Sequence, residues 1–193
     1  MLTGALLAGG MSRRYGRNKV LEPFQGERLI DRGIRLMGTV CDPVLVVAND
    51  LSLLLGVRAT LVRDILPHQG PLGGIYTALL FSPHDRVFVR GTDMPFLVPE
   101  LVNMLKEWGE QGYDAVVPVL NDYFEPLMAV YHRRCLPVVA ETLERSERQI
   151  ISFFRSIRLK AVSEQEWRTV DPAGLSFLNV NTPQDMEALG GSS

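Results

Sequence analysis

The residues with the clearest chemical potential lie near the start of the chain: Leu7-Ala8-Gly9-Gly10-Met11-Ser12-Arg13-Arg14-Tyr15-Gly16-Arg17-Asn18-Lys19. A glycine pair closes an apolar run, and the cations Arg13, Arg14, Arg17 and Lys19 follow. Glycines let backbone N–H groups approach phosphate oxygens with no Cβ in the way. Guanidinium and ammonium groups then neutralise polyphosphate charge. The bland alternative is a turn with solvated charges, but this spacing directly after an apolar stretch favours a phosphate cradle. Two familiar phosphate loops are excluded. A P-loop needs Gly, four residues, then Gly-Lys-Ser/Thr; here five residues separate Gly10 from Gly16, and Arg17 follows. Adjacent Gly9 and Gly10 also break the G-x-G-x-x-G pattern.

The elements that must position this loop alternate between strand and helix. Residues 4–7 are short, apolar and run into glycines, as a buried strand entering a loop does. Residues 27–37 carry Ile30, Gly33, Ile34 and Met37 at helical spacing. Strands are expected at 44–48 and 61–63, the latter ending at Asp64. A turn at Gly70-Pro71-Leu72-Gly73-Gly74 then leads into a helix over 75–81. Residues 87–89 form another strand, closed by Gly91-Thr92-Asp93, and Pro99 opens a helix with Leu101, Met104, Leu105 and Trp108 on one face. Strands at 115–119 and 127–131 flank the turn signal Asn121-Asp122 and are expected to be antiparallel. Short helices are expected at 137–143 and 150–154, a last strand at 177–180 and a last helix at 183–189. The alternation predicts an α/β three-layer sandwich: a mostly parallel sheet with helices on both faces.

Composition narrows the function classes. The 193 residues fit one domain, expected over 1–190, with residues 191–193 as a disordered tail. At 46% hydrophobic and 22% charged the chain is ordinary globular material. A formal net charge of -2 gives no global field to attract nucleic acid or a membrane surface, so an anionic ligand needs a local cluster. Cys41 and Cys135 have neither disulfide-framework nor zinc-site spacing, which suits a reducing cytoplasm. The apolar N-terminus is too short for a signal peptide or a membrane span. His68, His84 and His132 are too scattered for a metal site, and Trp108 reads as core.

With the other motifs added, the chain resembles a known family. Leu-Ala-Gly-Gly-x-Ser-x-Arg-x-Gly-x-x-Lys is similar to the signature of the Rossmann-like nucleotidyltransferases, and within them of the molybdenum cofactor guanylyltransferases. Asp64 with Gly70-Pro71-Leu72-Gly73-Gly74, then Asp93-Met94-Pro95, then Asn179-Val180-Asn181-Thr182-Pro183 follow in family order. Nearly the whole chain is covered. Asn18 stands where the family often has Asp, and Tyr15 replaces a common Met.

The resemblance implies a role for each position. The backbone of Leu7, Ala8, Gly9 and Gly10 would form the guanine and ribose shelf, and Lys19 would meet the phosphates. Asn49 and Asp64 would recognise the nucleoside, since an unpaired hydrogen-bonding side chain penalises a wrong base; plain turn chemistry is the alternative. Asp93, beyond a strand end, would hold Mg²⁺; the alternative is a cap for the helix at Pro99. Asn179 and Asn181, sharing one face of the expected strand, would lie near the pterin-bearing acceptor, or else simply cap a strand end. Arg148 sits in a charged helix end and by family position could touch the acceptor phosphate.

The activity implied is transfer of GMP from GTP to the terminal phosphate of molybdopterin, yielding molybdopterin guanine dinucleotide and pyrophosphate. The acceptor phosphate is ionised near neutral pH, so alignment and charge neutralisation by Lys19, Arg14 and Asp93 suffice without a general base. Cofactor-delivery proteins and acceptor molybdoenzymes are the implied partners. Three rivals remain: a cytidylyltransferase on the same acceptor, a sugar-phosphate nucleotidyltransferase, and a non-catalytic nucleotide-binding regulator. Gly9-Gly10 favours GTP over CTP, Asn-Val-Asn-Thr-Pro argues against a sugar phosphate, and Lys19 together with Asp93 argues against loss of chemistry.

Overall fold

A computed structural model of the chain describes residues 1–8 and 21–190. The first apolar run forms strand β1 (Thr3–Leu7), buried at every residue. A small hairpin, β2 (Pro23–Phe24) with β3 (Glu27–Arg28), precedes helix α1 (Leu29–Met37). Then come β4 (Val44–Ala48), β5 (Thr60–Arg63), α2 (Gly70–Phe81), β6 (Arg86–Gly91) and α3 (Pro99–Glu110). The second half adds β7 (Ala115–Leu120), β8 (Tyr123–Phe124), β9 (Met128–His132), α4 (Leu136–Glu144), β10 (Leu159–Val162), α5 (Glu164–Trp167) and α6 (Pro183–Gly190).

The large sheet runs β10-β7-β9-β6-β1-β4-β5, with β8 paired to β7. The pairs β1–β4, β4–β5, β1–β6 and β7–β10 are parallel, and β9 is antiparallel to both β6 and β7. Alternate side chains leave the sheet on opposite faces. Leu6, Val46, Phe88 and Val130 pack with α1, α3 and Trp167 of α5; Ala5, Val47, Val89 and Val117 pack with α2, α4 and Phe153. This is the expected mostly parallel three-layer α/β sandwich.

Several local expectations are corrected. The helix over 27–37 begins at Leu29, because Gln25 and Gly26 adopt positive φ and turn residues 27 and 28 back onto Pro23-Phe24. Helix α2 begins at Gly70, so the Gly-Pro-Leu-Gly-Gly stretch is its first turns. Pro71 suits that position, and the glycines serve close approach: a Cβ would come 2.9 Å from the Leu66 carbonyl oxygen at Gly73 and 3.2 Å from Leu7 Cδ1 at Gly74. Residues 177–180 are not a strand. Leu175–Phe177 is a 3-10 turn, and the chain then crosses the sheet rim, where Val180 N–H donates to the Asp93 carbonyl at 2.8 Å. Strand β10 and helix α5 were not foreseen.

The turn expected at Asn121-Asp122 is present. Asn121 and Asp122 both take positive φ and form the two-residue turn from β7 into β8. Cys41 and Cys135 are free and buried, and burial pushes both thiols up to about 12. Among the described residues no helix is long and apolar enough to cross a membrane.

Candidate active site

Parallel register brings the ends of four strands to one rim. Leu7 of β1 lies opposite Val47 of β4 and Gly91 of β6, while Ala48 of β4 lies opposite Arg63 of β5. The residues that follow, Ala8, Asn49, Asp64 and Asp93, therefore emerge side by side. Hydrogen bonds carry the ladder past the strand ends: Ala8 N–H to the Val47 carbonyl at 2.8 Å and Asp64 N–H to the Ala48 carbonyl at 2.9 Å. The chain moves from β1 out to β4 and β5, then returns to the other side of β1 as β6. Such a switch point opens a crevice at the C-terminal strand ends, where open α/β sheets bind ligands. Strand β1 ends at this crevice, with Asp93 on its β6 side.

The residues expected to meet the nucleoside are held differently. Leu7 is buried and its side chain packs against Gly74, so its backbone is what reaches the rim. Asp64 is half-buried. Its Oδ1 accepts from Thr77 Oγ1 at 2.8 Å and from Leu66 N–H at 3.0 Å, which ties it to α2 and fixes its orientation. Asn49 is exposed, with its carbonyl accepting from Arg63 Nε at 3.4 Å.

Asp93 has a tightly prescribed seat. Its Oδ1 folds back over Gly91, where a Cβ would come within 2.6 Å. The turn after β8 lies alongside, with Gly91 N–H donating to the Leu127 carbonyl at 3.3 Å. Glu125 of that turn is half-buried, and its carboxyl is pushed up, first by burial and then by the Asp93 charge. Beneath the loop lies Arg90, fully buried, whose Nη2 donates to the carbonyls of Met94, at 2.6 Å, and Phe96. Burial pushes its guanidinium down to about 9, against the opposing pull of Asp93, so it remains cationic at neutral pH. Asp93 does not cap the following helix, whose N-cap is Val98.

The residues expected to face the acceptor join the same rim. Asn179 and Asn181 are exposed and flank Val180, which is bonded to the Asp93 carbonyl. Asp185 Oδ2 accepts from the N–H groups of Asn181 and Thr182 at 2.7 and 2.8 Å, and Thr182 Oγ1 accepts from Asp185 N–H. This reciprocal cap starts α6 and fixes the backbone at Asn181. The two asparagines are thus brought to Asp93 by a loop crossing, and not by strand alternation.

Leu7, Ala8, Asn49, Asp64, Asp93, Asn179 and Asn181 therefore share the C-terminal rim. Gly9, Gly10, Arg14 and Lys19 lie outside the described residues. Arg148 is exposed. Sequence reasoning missed Gly91, Glu125 and Arg90; the one available signal was a charge at the end of the apolar run Val87-Phe88-Val89-Arg90. Among the described residues no three His, Cys, Asp or Glu side chains form a metal-binding group. A single strand-end carboxylate does fit Mg²⁺, which takes one or two carboxylates and fills its shell with water and substrate phosphate.

A strand-end carboxylate at the switch point of a mostly parallel sheet, in a chain whose first strand runs in sequence into a glycine-rich basic stretch, fits a nucleotidyltransferase of the Rossmann-like kind. The model of the MobA-like NTP transferase domain matches residues 4–162, and the chain belongs to that family. It is 37% identical over 187 residues to a molybdenum cofactor guanylyltransferase of Desulfosudis oleivorans, covering 96% of this chain and 93% of that one. A probable molybdenum cofactor guanylyltransferase of Pelotomaculum thermopropionicum is 36% identical, covering 95% of this chain and 89% of that one. The crystal structure of molybdopterin-guanine dinucleotide biosynthesis protein A from Archaeoglobus fulgidus superposes with a TM-score of 0.86 at 28% identity, covering 98% of this chain and 97% of that one.

Proposed function

We propose that this chain transfers GMP from GTP to the terminal phosphate of molybdopterin. An oxygen of the acceptor phosphate attacks the α-phosphorus, the bond from that phosphorus to the bridging oxygen of the β-phosphate breaks, and pyrophosphate leaves. The observation that carries this reading is the bond between Val180 N–H and the Asp93 carbonyl. It ties the backbone between Asn179 and Asn181 to that of Asp93, which supports a reading in which donor and acceptor share one reacting centre. The names of the 37% and 36% identical relatives supply the substrates.

The chain's own groups divide the work. The backbone at Leu7, Ala8, Gly9 and Gly10 carries the nucleoside, and Asn49 and Asp64 select the base. Asn179 and Asn181 orient the acceptor. Lys19 and Arg14 spread the charge that develops on the departing pyrophosphate. Asp93 would hold Mg²⁺, which would supply charge neutralisation at the phosphates. The acceptor phosphate is already ionised, so no residue need remove a proton. The reaction belongs in the cytoplasm, with delivery proteins upstream and molybdoenzymes downstream.

The test is pyrophosphate release from GTP and from CTP in parallel, with Mg²⁺ and molybdopterin present. Release from GTP alone is expected, and Asp93→Asn abolishes it. Release from CTP alone overturns the base assignment. Parental turnover by Asp93→Asn overturns the metal assignment. Absence of release from either nucleotide, with GTP still bound, overturns the reaction.

A further inference from the structure

We propose that Arg90 is a positioning residue for Asp93: it fixes the 93–98 loop from below and so sets where the carboxylate stands between nucleotide and acceptor. The inference rests on the role given to Asp93 above. Residues 94–98 have no regular secondary structure, yet successive carbonyls are taken. Asp93 accepts from Val180 N–H at 2.8 Å, Met94 from Arg90 Nη2 at 2.6 Å, Pro95 from Arg32 Nε at 2.7 Å, and Phe96 from Arg90 Nη2 again. At the far end, Val98 N–H donates to Ser176 Oγ at 2.9 Å. The loop is thus held along its length by side chains and by the Asn179–Asn181 segment.

Arg90 differs from an ordinary core residue in two respects. First, it is fully buried, and among the described residues its Nε and Nη1 have no hydrogen-bond partner. Burying an incompletely paired cation opposes folding, and an apolar side chain of similar shape would avoid that cost. What an apolar residue would lose is the fork on the two loop carbonyls. Second, Arg90 stands on a central strand, opposite Leu6 of β1 and Met128 of β9. Paired on both sides, its backbone is a rigid base from which to fix a loop. Arg32 supports the same loop from α1, lying over the rings of Phe24 and Phe96 at 5.1 and 5.5 Å.

The test uses the full chain with Arg90→Met, Arg90→Lys and Arg32→Met, and Asp93→Asn as reference. Four quantities are read: kcat and KM for GTP, the Mn²⁺ affinity of the GTP-loaded protein by electron paramagnetic resonance, melting temperature, and amide exchange of peptides spanning 93–98 and 178–182. Arg90→Met is expected to lower kcat about a hundredfold, the scale of a misplacement near 1 Å, with KM for GTP unchanged. Mn²⁺ binding weakens, and both peptides exchange faster together. Arg90→Lys, keeping one donor group, recovers part of the kcat loss. A folded Arg90→Met with parental kcat and Mn²⁺ affinity overturns the inference. If Arg90→Met does not fold, Arg32→Met decides: a smaller kcat loss at unchanged KM supports the held loop, and parental kcat overturns it. An inactive Asp93→Asn beside fully active arginine variants removes the positioning role alone. An active Asp93→Asn removes the reading beneath it as well.

Discussion

Gly91 and Asp93 act as a unit, because the carboxylate occupies the space a side chain at residue 91 would fill. The next atoms a Cβ would meet, Asp93 Cγ and Leu127 Cδ1, are both 3.8 Å away, so the 2.6 Å approach of Asp93 Oδ1 is the single severe contact. No positive φ is required at Gly91. Gly91→Ala therefore moves one group and little else. It is expected to lower kcat about ten- to a hundredfold through displacement of the carboxylate, while costing about 1–3 kcal/mol of stability. Steady-state kinetics at saturating GTP, set beside a thermal melt, checks both halves; an active variant would show that the carboxylate does not work from this seat. Much of the candidate site was legible because its members travel in contiguous motifs: Asp93, Asn179 and Asn181 each sit in a recognisable string. Glu125 was not, because it reaches Asp93 only through strand pairing, and Gly91 and Arg90 were not, because their contacts with residues 93–96 arise only as that irregular loop folds back. Leu127 meets Gly91 only because β9 folds back onto β6, and nothing local in the sequence marks that meeting.

At the scale of elements, α5 illustrates how few residues can fix an edge. It has four residues, too few for intrinsic stability, yet Ser163 and Glu166 form a complete capping box. Glu166 Oε1 also accepts from Lys160 Nζ of β10 at 2.7 Å, and Lys160 lies 4.3 Å from the centre of the Trp108 ring. Trp167 then plugs the edge, with Nε1 donating to the Val119 carbonyl at 2.8 Å. Lys160 and the Ser163 cap hold the Glu166 carboxyl down to about 2 from 4.5. A depressed carboxylate contributes stability that is fully present above its unfolded value and is lost as pH falls through the folded one. Glu166→Gln keeps one acceptor oxygen for the Ser163 cap and removes the charge together with the oxygen that meets Lys160. Solvent screening at a side chain 35% exposed limits the effect to about 1 kcal/mol, or about 2–4 °C in Tm at neutral pH. Melts in an acid series should show that difference intact above 4.5 and gone near 2; a constant difference would mean the charge is not its source. Neither β10 nor α5 stands out in the sequence, since their apolar positions are few and their stability comes from contacts with β7 and α3. The start of α2 was hidden for the opposite reason: Gly70, Gly73 and Gly74 read as a turn until their close approaches are known.

For the molecule as a whole, alternation of apolar runs with helical periodicities made the three-layer class readable, and the strand inserted against the parallel direction was readable from the turn at Asn121-Asp122. What periodicity cannot convey is how strongly the two cores are joined. One sheet supplies both: Val87 and Val89 face one side, and Phe88 between them faces the other. Loss of packing on either face must therefore be felt by strands that serve both, and we propose that the chain unfolds as one unit. The tryptophans provide an asymmetric probe, since Trp108 and Trp167 both belong to the α1–α3–α5 side. Phe153 is fully buried on the opposite side, against Tyr131 and Phe154. Phe153→Ala should cost about 3–5 kcal/mol. If the sheet couples the layers, this loss shifts the urea midpoint seen by tryptophan fluorescence as far as that seen by far-ultraviolet circular dichroism, although neither tryptophan touches the mutated core. A fluorescence midpoint that stays parental while the dichroism signal moves would show that the layers open separately. The rim carrying Asp93 would then rest on one half of the molecule, whereas coincident transitions make the catalytic geometry depend on both.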